Sequence, residues 1–160
     1  MRPGALGYDR LKYAQTNWLG WGAAACWLAA WFLPVMDDIP GWAAFHAALE
    51  GPFRGRFPLG ADDAVPQVLS ALTNVVFVAL FWLWMRRRIT WPSMFLKVAL
   101  ACLLLNLYWL VQMLRAGERT WLLIGYYVWL LAFALLLAIG VVSVVSARRT
   151  SRTPTAGTPA

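Results

Sequence analysis

The sequence predicts an all-α membrane protein, a four-transmembrane-helix bundle with a short amphipathic helix in its first extracytoplasmic loop. Three observations predict it. Of the 160 residues 61% are hydrophobic and only 13% charged, against about 25% charged in soluble domains, and the mean hydropathy is +0.60. Four segments carry no charge at all: Tyr13 to Met36, Ala64 to Met85, Val98 to Leu114 and Thr120 to Ala147. Each is near the length of about 20 residues that crosses a bilayer. Finally, the basic residues are grouped beside these segments rather than spread along a polar stripe, which reads as a topology signal and argues against nucleic acid as a partner. Residues 1–149 thus form one four-span domain, with spans at about 17–36, 66–85, 92–113 and 121–145.

Arg2, Arg10 and Lys12 precede the first span, an arrangement shared with secretory signal peptides. The apolar run here exceeds their roughly 7–15 residues and is rich in Trp, so an uncleaved first span is expected. Residues 37–65 form the extracytoplasmic loop. Within it, Trp42, Phe45 and Leu49 recur at helical spacing, His46 and Glu50 stand four apart on a more polar side, and Gly51 with Pro52 closes the pattern. A short helix on the outer face, or tucked over the bundle, follows.

Asp62 or Asp63 can cap the second span, with Pro66 in its first turn, and Thr90 with Pro92 serves the third in the same way. Lys97 lies close enough to the end of that span for its ammonium to reach the headgroups. Backbone polar groups in hydrocarbon find no water, so segments of this length satisfy them internally as helices, and the alternation of a membrane β-barrel is absent. The Thr- and Pro-rich tail, 150–160, is expected to be disordered and cytoplasmic.

Alternate sorting of the loops puts Arg2, Arg10, Lys12, Arg86, Arg87, Arg88, Lys97, Arg148, Arg149 and Arg152 on one side, ten positives against Arg54, Arg56, Arg115 and Arg119 on the other. Positive residues resist translocation, so both termini are expected in the cytoplasm. Six of the seven acids fall outside. The cytoplasmic basic cluster Arg86, Arg87 and Arg88 adds attraction to anionic lipids of the bilayer, about 1 kcal/mol per residue near a negative surface. Trp18, Trp21, Trp31, Trp82, Trp84, Trp91, Trp109 and Trp121 stand near span ends, where indoles anchor at the headgroup level.

Chemistry is sparse. Cys26 and Cys102 lie inside apolar stretches, so neither a disulfide scaffold nor a CxxC motif is available. No charged residue falls near the centre of a span, which counts against a proton-coupled antiporter built on an embedded carboxylate. Polar groups inside the spans are Thr73, Asn74, Asn106 and Gln112. An amide in hydrocarbon needs a partner, so Asn74 and Asn106 are expected to face the bundle, meeting each other or a backbone carbonyl; contact with a small molecule or headgroup is the sharper alternative. Gly22 with Cys26, Ala25 with Ala29, and Ala134 with Ala138 suggest close-packed faces. Gly125, Tyr126, Tyr127 and Trp129 form an aromatic cluster toward the outer leaflet.

The outer loop offers Asp37, Asp38, His46, Glu50, Asp62 and Asp63, acid/base and metal-ligand types without a strong motif. No cofactor or metal is expected. The layout, with LPVMDD, GWAAF, TN and GYYVW in these places, resembles the small four-span inner-membrane proteins of bacteria, and that resemblance implies no residue roles. A non-enzymatic interaction role is expected: an accessory subunit, assembly factor or immunity-type protein in the inner membrane, with a membrane-protein partner or a second copy of itself. One alternative is a transporter or channel component working as an oligomer, with Thr73, Asn74 and Asn106 along a polar path. Another is a small enzyme acting on a lipid at the outer face, with His46 as base and Asp37 or Asp38 as metal ligands.

Overall fold

A computed structural model describes residues 4–36, 38–51, 64–86, 89–115 and 122–150. Among these residues the chain forms α1 (Gly4–Phe32), β1 (Pro34–Met36), β2 (Ile39–Pro40), α2 (Gly41–Glu50), α3 (Ala64–Met85), α4 (Pro92–Arg115) and α5 (Ile124–Thr150). It is all-helical but for the short β1–β2 ribbon. Three stretches, Val65–Met85, Pro92–Gln112 and Ile124–Arg148, are long and apolar enough to cross a membrane.

The helix that holds the expected first span, 17–36, starts earlier than that range and ends before it. Helix α1 begins at Gly4, because a charge gap marks where apolar solvent is needed and not where helical hydrogen bonding starts. It stops at Phe32. Leu33 still donates to the Ala29 carbonyl at 3.0 Å, but Leu33 precedes Pro34, whose ring disfavours helical dihedrals in the residue before it. The chain then doubles back as an antiparallel ribbon, with Pro34 opposite Pro40 and Met36 opposite Ile39. Asp38 takes φ 60° at the turn, a left-handed conformation that Asp tolerates better than most side chains.

The α3 start agrees with Pro66 in the first turn, whereas the capping candidates Asp62 and Asp63 lie outside the described residues. At α4 the cap position belongs to Trp91 rather than Thr90. The Trp91 carbonyl receives the N–H groups of Met94 and Phe95, both at 3.1 Å, and Pro92, which lacks an N–H, occupies the first helical position. Helix α5 begins at Ile124 rather than 121, since Leu123 donates instead to the Val35 carbonyl of the ribbon at 3.0 Å. It continues past 145 to Thr150. The tail from 151 onward lies outside the described residues.

Helix α1 runs antiparallel along α5: Gly22 faces Leu135 near mid-helix, and Gly125 at the start of α5 sits against the carbonyls of Leu33 and Pro34. Helices α5 and α4 pack closely, with Gly140 so near Leu96 that a Cβ there would come within 3.0 Å of its Cα. Helix α3 meets α1 through aromatic rings. Trp27 stacks on Phe77 at 5.3 Å, and Phe77 meets Phe133 of α5 edge-on at 5.4 Å. Ala23, Phe77, Ala99, Phe133, Leu136 and Ile139 form the centre of the core. A second cluster of Trp109, Leu122, Tyr126 and Leu130 lies toward the ribbon end.

Of the small-residue pairs, Ala25 and Ala29 are exposed and take no part in close packing; α1 turns Gly20, Ala23 and Ala30 inward instead. Ala134 and Ala138 are half-buried. Outward-facing positions are as apolar as the interior, with Leu72, Val75 and Val78 on α3, Leu100 and Leu104 on α4, and Leu131 and Val141 on α5 exposed. Such surfaces suit lipid as solvent.

Candidate functional site

Helix α3 carries Ser70, Thr73 and Asn74 at i, i+3 and i+4, which puts all three on the face turned into the protein. Asn106 comes from α4 and is fully buried, with 0% exposure. Its carbonyl accepts from Ser70 Oγ at 2.9 Å and from Thr73 Oγ1 at 3.5 Å. The hydroxyl of Thr73 also lies 2.6 Å from the Ser70 carbonyl, and the Asn106 amide group reaches Thr73 Oγ1 at 3.3 Å. Asn74 and Asn106 therefore belong to one polar patch but turn to different partners. Asn74 instead accepts two indole N–H groups, from Trp27 Nε1 at 2.9 Å and Trp129 Nε1 at 3.0 Å, while donating to the Ala71 carbonyl at 3.1 Å. Its carbonyl thus ties α1 and α5 to α3.

Two further bonds were not legible in the residue pattern. Tyr126 donates its hydroxyl to the Asn106 backbone carbonyl at 2.5 Å, and Trp109 donates to the Pro66 backbone carbonyl at 3.3 Å. Trp109 is buried, so its expected role as an interfacial anchor is corrected: its indole closes α4 on the first turn of α3. Trp18, Trp21, Trp82 and Trp91 are exposed, as a lipid-facing position requires. Gln112 donates to Tyr108 one helical turn earlier, at 2.6 Å on an exposed face. Ser70, Trp27 and Trp129 are network members that spacing alone did not single out; polar residues on one α3 face were the available signal.

Beside this patch lies a partly open cavity of about 210 Å³. One wall is α2, presenting Ala44, Phe45 and Ala48; the other comprises Gln67, Ser70 and Asn74 of α3 with Trp109, Tyr126 and Trp129. Helix α2 turns this small-residue side inward and leaves Trp42 55% exposed, so the face expected from Trp42, Phe45 and Leu49 is rotated. The cause is Gly41. Its N–H bonds the Leu33 carbonyl at 3.1 Å, and its Cα faces the Ala30 carbonyl too closely for any side chain. Among the described residues no charged side chain lines the cavity.

Of the outer-loop candidates, Asp38, His46 and Glu50 lie among the described residues. His46 and Glu50 pair at 3.1 Å on the exposed side of α2, and Asp38 occupies the ribbon turn. Among the described residues no group of three His, Cys, Asp or Glu side chains is placed to hold a metal. Asp37, Asp62 and Asp63 lie outside those residues, as do Arg87 and Arg88. Arg86 lies over the Trp82 ring at 4.4 Å, a contact of about 0.5–1 kcal/mol at an exposed site. Cys26 and Cys102 are free thiols.

An exposed i, i+4 pair contributes a few tenths of a kcal/mol at most. His46→Ala is therefore expected to change the unfolding free energy by less than about 0.5 kcal/mol. Thermal unfolding in mild detergent checks this; a loss several times larger means that His46 serves a wider site. The chain matches no family model, and no curated protein or solved structure is significantly similar to it.

Proposed function

We propose that the chain is a four-span protein of the inner membrane, with both termini cytoplasmic, and that it acts by contact rather than by catalysis. It would serve as an accessory subunit, assembly factor or protective partner for another membrane protein. The observation that carries this reading is the closure of the polar network. Ser70, Thr73, Asn74 and Asn106 bond one another, indoles or backbone, so they favour helix packing over a hydrated path or a reacting centre.

The fourth span in this reading is α1. Its support is the charge-free stretch 13–36, the antiparallel packing along α5, and the exposure of Trp18, Trp21, Leu28 and Phe32. In this topology α2 lies at the outer face. Purification of the tagged protein in mild detergent, with mass spectrometry of what accompanies it, tests the reading. A stoichiometric protein partner is the expected result. Ion or solute flux through the reconstituted protein, abolished by Asn74→Leu, would replace the reading with the transport alternative.

A further inference from the structure

The cavity between α2 and α3 holds a polar atom that the fold leaves unsatisfied. Gln67 Oε1 is buried from solvent and has no hydrogen-bond partner, and Gln67 lines the cavity. Ser70, Asn74 and Tyr126 in the same lining are already engaged. The Ser70 hydroxyl donates to Asn106, the Asn74 carbonyl receives two indoles, and the Tyr126 hydroxyl donates to the Asn106 backbone. A buried acceptor left without a partner is destabilising, so its retention beside an open cavity points to a ligand that completes it.

The remaining wall sets the ligand's chemistry. Among the described residues it is uncharged, and Trp31, Phe45, Trp109 and Trp129 make it aromatic, which disfavours an ionic headgroup. At about 210 Å³ the cavity exceeds the roughly 150 Å³ that takes up benzene, so a short chain or one ring fits. A hydroxyl meets the Gln67 amide whichever way that amide is turned, because it both donates and accepts. A lone water would meet the amide but leave the aromatic wall without an apolar partner.

We propose that this cavity binds the hydroxyl-bearing end of a neutral lipid, its alcohol on Gln67 and its apolar body between α2 and the α4 and α5 aromatics. The inference goes beyond the contact role: it needs the cavity to open to the bilayer but requires no protein partner. Photolabelling of the full chain in phospholipid vesicles, with an eight-carbon alcohol carrying a diazirine, tests it. Adducts are expected to concentrate on α2 and on the lining aromatics, and excess 1-octanol should displace them where octane does not.

Ala48→Trp, which fills the cavity, should lower labelling several-fold. Ala44→Leu narrows the same wall and serves should the larger side chain prevent folding. Gln67→Leu should weaken 1-octanol competition about three- to tenfold, the loss of one net hydrogen bond. Adducts spread evenly over lipid-facing positions such as Leu104 and Val141, or labelling indifferent to both cavity variants, would overturn the proposal. Equal competition by octane, or no change in Gln67→Leu, would remove the alcohol from it. Loss of a protein partner leaves these readouts unchanged, so the two proposals fail separately.

Discussion

Asn74→Leu is expected to lower the unfolding free energy by about 1–3 kcal/mol, because it strands two indole N–H groups at once. Trp27 on α1 and Trp129 on α5 both end on the Asn74 carbonyl, and neither has water within reach if the surrounding solvent is lipid. The value sits below what two orphaned donors would cost in a soluble core, since the separated helices also find partners in the membrane. Asn74→Asp separates the causes. It keeps an acceptor for both indoles but places a carboxylate among apolar groups, at about 2.5–3.5 kcal/mol near a helix centre. Thermal unfolding of both variants in detergent should show them destabilised, whereas wild-type behaviour of Asn74→Leu would mean the indoles do not depend on this amide.

The second large effect is expected at Gly41. A Cβ there would run into the Ala30 carbonyl, with the Trp31 Cα at 3.0 Å, and both are backbone that cannot rotate away. Gly41→Val therefore requires α2 to move off α1, at a cost of about 1–3 kcal/mol or more. Because α2 is one wall of the cavity, the variant should also lose the alcohol photolabelling while the α3, α4 and α5 contacts persist. Limited proteolysis reads the same change as faster cleavage near α2. Unchanged cleavage would mean that α2 packs less tightly against Ala30 than the geometry demands.

The helices of this protein were legible from the sequence because a bilayer imposes a length and forbids charge along it; Met85 and Pro92 fall where the charge gaps and Pro92 put them. The end of α1 was not, because Pro34 is uncharged and sits inside a charge-free run. The ribbon escaped because its pairing is completed by Leu123, almost ninety positions away.

At the site, chemistry named the isolated polar residues Thr73, Asn74 and Asn106 correctly as groups in need of partners, yet not who the partners are. That choice depends on helix rotation: Asn74 turns to α1 and α5 and finds tryptophans, while Asn106 finds Ser70 and Thr73. Trp109 shows the same ambiguity, since an indole near a span end can face headgroups or a neighbour's carbonyl. The inward face of α2 was hidden because Ala44 and Ala48 carry little hydrophobic weight beside Trp42, and only the close approach at Gly41 decides between them.

Whether α1 crosses the membrane decides the topology on which the proposed role rests. Single cysteines at positions 5, 55, 117 and 155, introduced into a Cys26→Ala, Cys102→Ala chain, can be labelled on intact cells with a membrane-impermeant maleimide. Labelling at 55 and 117, with 5 and 155 reacting only after permeabilisation, is the predicted result for four spans and two cytoplasmic ends. Positions 5 and 55 reacting from the same side would contradict it, leaving α1 outside the bilayer and three spans in place of four.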